Sequence, residues 1–246
     1  MARRRADVLL VERGLVESRD LARRLILGGR VRSGSTVLVK PATLLHPDAE
    51  LKVVEPARYV SRGGHKLEEG LRAFSVDVTG LRCLDIGAST GGFTDCLLQH
   101  GAAEVVAVDV GRAQLHWKLR QDPRVTLLEK TNARDLPDVG EFAVFVADVS
   151  FISLRLILPA VARRAVPGTP GVVLLKPQFE AGRELVPRGG VIRDAAVRKT
   201  VRDEFGLWLE REGWPLTGMR ECTTRGADGN VEYLVGLMTP GGDEFS

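Results

Sequence analysis

The sequence predicts a doubly wound α/β domain with a mostly parallel sheet, behind a small basic α+β segment. Three observations point there. From about residue 80, short apolar runs of the kind buried in parallel strands alternate with helical stretches. The first of these runs opens directly into a glycine-rich turn. Charge also divides the chain: residues 1–72 hold 15 Lys and Arg against 9 Asp and Glu, a balance of +6, while the rest sums to −3 and the whole 246-residue chain to +3.

In the first segment, 7–13 reads as a short helix ended by Gly14. Ser18 caps a second helix, whose Leu21, Ala22, Leu25 and Ile26 form one apolar stripe until Gly28 and Gly29 stop it. Residues 31–39, turning at Ser33-Gly34-Ser35, and 51–54 read as short strands, with Pro41 and Pro47 in the loop between them. In the α/β part, strands are expected at 81–86, 104–109, 125–129, 142–148 and 171–176, and a closing strand at 231–238. The clearest late helix is 194–212, with Val197, Val201, Phe205 and Leu209 at four-residue steps.

Composition narrows the function classes. At 44% hydrophobic and 27% charged residues, the chain can bury a core and is not of the disordered type. Its best apolar candidate, 152–162, is broken by Arg155 and falls short of the roughly 18 residues a membrane helix needs, so no membrane is expected as partner. The start, Met1-Ala2-Arg3-Arg4-Arg5, runs on to Asp7 and Glu12 without an apolar signal segment, which points to the cytoplasm. Cys83, Cys96 and Cys222 lack CxxC spacing, and His46, His100 and His116 lack ligand spacing, so neither a disulfide framework nor a metal site is expected.

A basic first third suggests a polyanionic partner, because Lys and Arg neutralise phosphates. Gly14, Ser18-Arg19, Ala22, Leu25-Ile26, Gly29, Val31 and Pro41, in that order, resemble the alpha-L RNA-binding domain of the ribosomal-protein S-four type. The resemblance implies that the second helix and the loop after it face RNA, nominating Arg19, Arg23, Arg24, Arg30, Arg32 and Lys40. The expected organisation is an RNA-binding domain at 1–56, a linker at 57–62 and a catalytic domain at 63–246.

The glycine-rich turn runs Asp85-Ile86-Gly87-Ala88-Ser89-Thr90-Gly91-Gly92-Phe93-Thr94. Glycines there let the backbone approach a ligand closely, yet the spacing is not G-x-G-x-x-G and Asp85 would sit poorly beside a pyrophosphate. A cationic ligand without phosphates fits better, and Asp109, at the end of the next strand, is placed to accept hydrogen bonds from ribose hydroxyls. This combination resembles the class I S-adenosylmethionine-dependent methyltransferases, a Rossmann-like fold with a mostly parallel seven-stranded sheet. By that resemblance Asp85, Gly87, Ala88, Ser89, Gly91, Gly92 and Phe93 would surround the methionine part of S-adenosylmethionine. Asp109 would meet the ribose, Asn132 and Ala133 the adenine, and Asp148 would also border the cofactor.

The methyl acceptor is narrowed by elimination. No cysteine follows a proline, as carbon-5 pyrimidine methylation would want, and Asp148-Val149-Ser150-Phe151 is not the Pro-Pro-aromatic loop usual for exocyclic amines. A hydroxyl acceptor needs a base or positioned cation. Lys66, Asp148, Lys176 and Glu232 are candidates, and an open α/β sheet binds ligands at the carboxyl edge of its strands, where a final antiparallel strand would begin. They look like the Lys-Asp-Lys-Glu tetrad of the RrmJ/FtsJ-like ribose 2'-O-methyltransferases. The likeness implies that Lys176 activates the 2'-hydroxyl, Asp148 adjusts it, and Lys66 and Glu232 orient the ribose.

The segments 61–67, 85–94, 148–154, 176–180 and 229–233, together with the N-terminal domain, resemble the TlyA family from end to end. Its members are called haemolysins but act as rRNA cytidine 2'-O-methyltransferases. The resemblance implies ribosomal RNA and ribosomal subunits as partners and a chemistry needing no metal. The chain stops eight residues after Met238, which resembles the shorter family type associated with large-subunit rRNA more than the longer type that also modifies the small subunit, so small-subunit rRNA stays open as a second substrate. Arg62 and His65 join the expected RNA contacts, and 183–193 is expected to cover the cleft. Tyr59 stands where relatives can have Trp, in a linker that would couple RNA binding to cofactor binding. Trp117, Trp208 and Trp214 are read as packing residues, an exposed one being able to stack on a base. Two rival readings remain: a noncatalytic ribosome-binding or assembly factor, and a membrane-active haemolysin, which the missing signal and membrane segments disfavour.

Overall fold

The computed structural model describes residues 3–54, 57–226 and 228–241. The chain divides into two compact units, Met1–Arg58 and Tyr59–Ser246. The first contains, in order, β1 (Arg4–Arg5), α1 (Ala6–Glu12), α2 (Arg19–Leu27), β2 (Val31–Ser33), β3 (Thr36–Leu38), β4 (Leu44–Leu45) and β5 (Leu51–Val53). Ser18 caps α2 by accepting from the Leu21 N–H at 3.2 Å, and Gly29, with φ +65°, supplies the left-handed turn into β2. Strands β3, β2 and β5 form an antiparallel sheet, and β1 pairs with β4. Leu10, Ala22, Ile26 and Val31 fill the core.

The second unit holds α3 (Gly63–Ala73), β6 (Arg82–Ile86), α4 (Gly92–Gln99), β7 (Glu104–Val108), α5 (Trp117–Arg120) and β8 (Val125–Leu128). It continues through β9 (Val144–Ala147), α6 (Leu158–Ala162), β10 (Pro170–Leu175), α7 (Pro177–Glu180), α8 (Ala195–Arg211), β11 (Leu216–Glu221) and β12 (Tyr233–Met238). These strands make one seven-stranded sheet in the order β11-β12-β10-β9-β6-β7-β8. β6 to β10 run parallel, and β12 lies antiparallel between β10 and β11. β6, β7, β9 and β10 are buried on both faces, as doubly wound sheets require, whereas the edge strand β8 has no fully buried residue. Leu84, Ile86, Phe205, Leu209 and Trp214 belong to the core on one face, whereas Cys83, Leu67, Leu71, Phe93 and Leu97 belong to the other.

All six expected strands of this unit are present, and β11 and helix α3 add to them two elements that the sequence pattern does not mark. β11 has the sequence Leu-Thr-Gly-Met-Arg-Glu, with no buried residue and a register shift at Leu216/Gly218, so no apolar alternation marks it. Pairing with β12 alone makes it a strand. Tyr59, read as part of a linker, is buried at 2% exposure in the core of the second unit, and the Val60 N–H donates to Asp95 at 2.8 Å. Among the described residues, no helix is long and apolar enough to cross a membrane.

Candidate active site

Reversal of strand order between β6 and β9 opens a crevice at the carboxyl edge of the sheet, the usual ligand position in such folds. The turn after β6 enters it with Gly87 at φ +82°. A Cβ on Gly87 would come within 2.5 Å of the Asp148 carbonyl oxygen, so only glycine lets these two turns approach. A Cβ at Gly91, φ +96°, would collide with Leu119 and Leu115 of the next crossover. The glycines thus serve packing of the turn as well as space for a ligand.

The crevice has two adjoining compartments that share Gly87, Ser89, Asp148, Ser150 and Phe151. The first, about 620 Å³, holds all four proposed tetrad residues with Ala88, Gly92 and Phe93. The second, about 550 Å³, holds Asp109, Asn132 and Ala133. Asp85 and Gly91 are in neither lining; both are buried behind the turn. Asp85 is 0% exposed and accepts from Thr94 Oγ1 at 2.6 Å, and burial pushes its carboxyl up to about 7. Its place is under the turn, where it ties β6 to α4.

Lys66 projects from α3 and Glu232 from the residue preceding β12, 166 positions later, and the two form a buried ion pair. Lys176 follows β10, with its ammonium 2.7 Å from Asp148 Oδ1 and donating to Ser150 Oγ at 2.9 Å. The Asp148 contact is an ion pair whose angle lies outside hydrogen-bond geometry. Exposures of 7% for Lys66, 9% for Lys176 and 3% for Glu232 set these charges apart from surface pairs. Each cation has its carboxylate, as desolvated charges must.

Several residues in and behind the lining belong to segments that resemble the family, but the sequence gives them no individual role. Ser150 lies two positions after Asp148 and completes the Lys176 cradle, while the Phe179 ring centroid is 5.9 Å from the Lys176 ammonium. Phe151, 90% exposed with φ +64°, stands at the rim with its ring 5.1 Å from Phe179. Buried Glu180 accepts from Ser153 Oγ at 2.6 Å and the Leu154 N–H at 2.7 Å. It thereby clamps the loop after β9 to the loop after β10, with burial holding its carboxyl above the ordinary range. Asn230 accepts from the Ile192 N–H at 3.1 Å and donates to the Gly190 carbonyl at 2.9 Å, fastening the 183–193 segment, whose Val186, Gly189 and Gly190 also line the first compartment.

In the second compartment, Asp109 accepts from the Ser89 N–H at 2.7 Å and the Gly111 N–H at 2.6 Å. One lone pair on each oxygen is left for hydroxyl groups. Asn132 accepts from the Arg134 N–H at 3.1 Å and is itself exposed. The two carboxylates Asp109 and Asp148 and the close backbone of the turn suit a ligand bearing a ribose and a positive charge.

The nominated RNA contacts separate into groups. Arg62 is exposed at the lip of the first compartment. His65 is 50% exposed, lies edge-on to Tyr59 at 5.1 Å and lines neither compartment. In the first unit, Arg23, Arg24, Arg32 and Lys40 are exposed. Arg19 instead pairs with buried Asp7 at 3.1 Å, and Arg30 donates to the Val54 carbonyl at 2.6 Å. Trp208 and Trp214 are packed at 8% and 2% exposure, but Trp117, expected in packing, is 60% exposed.

Comparison with known proteins agrees with this architecture. The S4 domain matches residues 4–51 and the FtsJ-like methyltransferase family matches 59–239. The chain is 48% identical to the Mycobacterium tuberculosis protein named 16S/23S rRNA (cytidine-2'-O)-methyltransferase TlyA, over 97% of this chain and 91% of the relative. It is 49% identical to Bacillus subtilis YqxC, whose name carries a provisional rRNA methyltransferase assignment, over 96% of this chain and 86% of that one. A solved structure from Streptococcus thermophilus, titled a hemolysin, superposes with a TM-score of 0.73 at 42% identity, covering 98% of this chain and 90% of the other. The chain therefore belongs to the TlyA family, an S4 domain followed by an FtsJ-like methyltransferase domain.

Proposed function

We propose that this chain transfers a methyl group from S-adenosylmethionine to a ribose 2'-hydroxyl of ribosomal RNA, a cytidine of the large subunit. The observation that carries this reading is the meeting of Lys66–Glu232 and Lys176–Asp148 in one compartment beside the glycine-rich turn. An rRNA substrate also places the reaction in the cytoplasm.

When bound, S-adenosylmethionine supplies an electrophilic methyl on a sulfonium. Gly87, Ala88, Ser89, Gly92 and Phe93 would hold its methionine part, with Asp148 beside the positive charge, and Asp109, Asn132 and Ala133 would hold its nucleoside. Lys176, once its ammonium has released a proton to solvent, would meet the 2'-hydroxyl as an amine and hold the oxygen in line with the methyl; as the oxygen–methyl bond forms and the sulfur–methyl bond breaks, the amine takes up the hydroxyl proton and S-adenosylhomocysteine leaves. Asp148 and Ser150 fix the Lys176 nitrogen from two sides. Lys66, held by Glu232 in the same compartment, would contact the ribose. Exposed Phe151 faces the mouth, where an unstacked base would rest on it.

Labelled methyl transfer from S-adenosylmethionine to purified large subunits, small subunits and intact ribosomes tests this reading, with the product mapped by mass spectrometry. A ribose 2'-O product on large subunits is expected, falling about 10²- to 10⁴-fold in Lys176→Ala. Transfer to small subunits as well would widen the substrate to both. Cofactor and RNA binding without transfer to any RNA would overturn the reading in favour of an assembly factor.

A further inference from the structure

We infer that Trp117 is a stacking platform for an unpaired RNA base, lying outside the methyl-transfer crevice and fixed to its cofactor turn. The inference rests on the RNA substrate proposed above. Of the three tryptophans, Trp117 is the exposed one, at 60%. The His116 ring lies 6.0 Å away at 30°, roughly parallel, and the Lys118 ammonium is 5.9 Å from the indole centroid. Residues 110–120 include Arg112 and Lys118, while their third cation, Arg120, is ion-paired with Glu129. A flat aromatic face flanked by cations matches a nucleotide, whose base stacks while its phosphates meet the positive charges. An apolar protein partner would want a broader hydrophobic surround than this cationic segment offers.

The platform is anchored. The His116 N–H donates to the Thr90 carbonyl at 3.1 Å, while Leu115 and Leu119, each 5% exposed, sit against Gly91. Ser89 and Thr90, which line the first compartment, thus belong to the turn against which α5, the helix that carries Trp117, is fastened. Gln114, three residues before Trp117, lines the second compartment. A base stacked on Trp117 would hold RNA beside the crevice without entering it, so the nucleotide is a neighbour of the target and not the target.

Because Trp208 and Trp214 are buried, acrylamide quenching of tryptophan fluorescence reports chiefly on Trp117. The full chain would be titrated with in vitro transcribed fragments of large-subunit rRNA, and affinity followed separately by anisotropy of labelled RNA. RNA is expected to shield the quenchable component. Trp117→Ala should weaken RNA affinity about tenfold, Trp117→Phe should largely restore it, and neither should move the melting temperature. RNA bound equally well by Trp117→Ala, or with Trp117 still fully quenchable, would overturn the inference. So would shielding by S-adenosylhomocysteine alone, which would assign the indole to the cofactor. Methyl transfer measured on the same samples separates the two proposals. Transfer with unshielded Trp117 removes the platform only, whereas shielding without transfer removes the reaction only. Absence of RNA binding would sink the platform, and loss of transfer as well would sink both.

Discussion

Among the described residues, each unit of the molecule buries one aspartate completely, and the two are held in opposite ways. Asp7 in the first unit is 0% exposed and receives Arg5 Nε and Nη2, each at 2.9 Å, with Arg19 Nε at 3.1 Å. The Arg5 guanidinium first, then Arg19, hold its carboxyl below the ordinary range despite burial. Asp85 in the second unit is equally buried but is met by Thr94 and by no cation, and burial, with the neighbouring carboxylates Asp148 and Asp109, pushes it up to about 7. Burial by itself therefore does not decide whether a carboxylate stays charged. The partner does. The tetrad follows the paired pattern of Asp7, with a lysine supplied for each carboxylate.

The largest expected effect comes from unpairing such a charge. Lys66→Met leaves Glu232 at 3% exposure without its cation and should cost about 3–5 kcal/mol in denaturant unfolding. Adding Glu232→Leu should return most of that loss; no recovery would mean that Lys66 contributes by packing. Next come the two aspartates as a pair of opposite pH slopes. Asp85 has its folded pKa raised, so its stabilising contribution is full below about pH 4 and is lost as the pH rises through about 7. Relative to Asp85→Asn, wild type should therefore lose up to about 4 kcal/mol between those limits. Asp7 is the reverse: its contribution is present above its ordinary pKa and fades as pH falls through the depressed value, so Asp7→Asn should lose its disadvantage in acid. Equal slopes in urea melts across pH would break the comparison. The smallest effect is expected for the exposed arginines. Arg23→Ala should leave stability within about 0.5 kcal/mol and flatten the salt dependence of RNA affinity by about one unit of slope.

Legibility followed the same division between local and distant causes. β6 and its turn were readable because a buried strand is a continuous apolar run and the left-handed positions at Gly87 and Gly91 demand glycine. α2 was readable from Ser18 and its apolar stripe, since a cap and a helical face are both encoded within a few residues. β11 was not, because its strand character comes from the neighbour it pairs with and no face of it is buried. Ser150, Glu180 and Asn230 fall inside segments that resemble the family, but their individual roles are not legible in the sequence for a related reason. A polar residue in a loop has no periodicity, and its role depends on which distant backbone or ammonium it meets.

By itself the sequence determined the two-part organisation, the order of the buried strands, the glycine turn and the four charged residues worth watching. These are properties of composition, period and local conformation, which short segments carry on their own. Only the tertiary structure decided that Lys66 pairs with Glu232 and Lys176 with Asp148, that Asp85 lies under the turn and outside the cavity lining, and that Trp117 faces solvent while the other tryptophans are packed. Such outcomes depend on burial and on contacts between residues far apart in the chain, which exist only once the sheet has brought its strand ends to one edge.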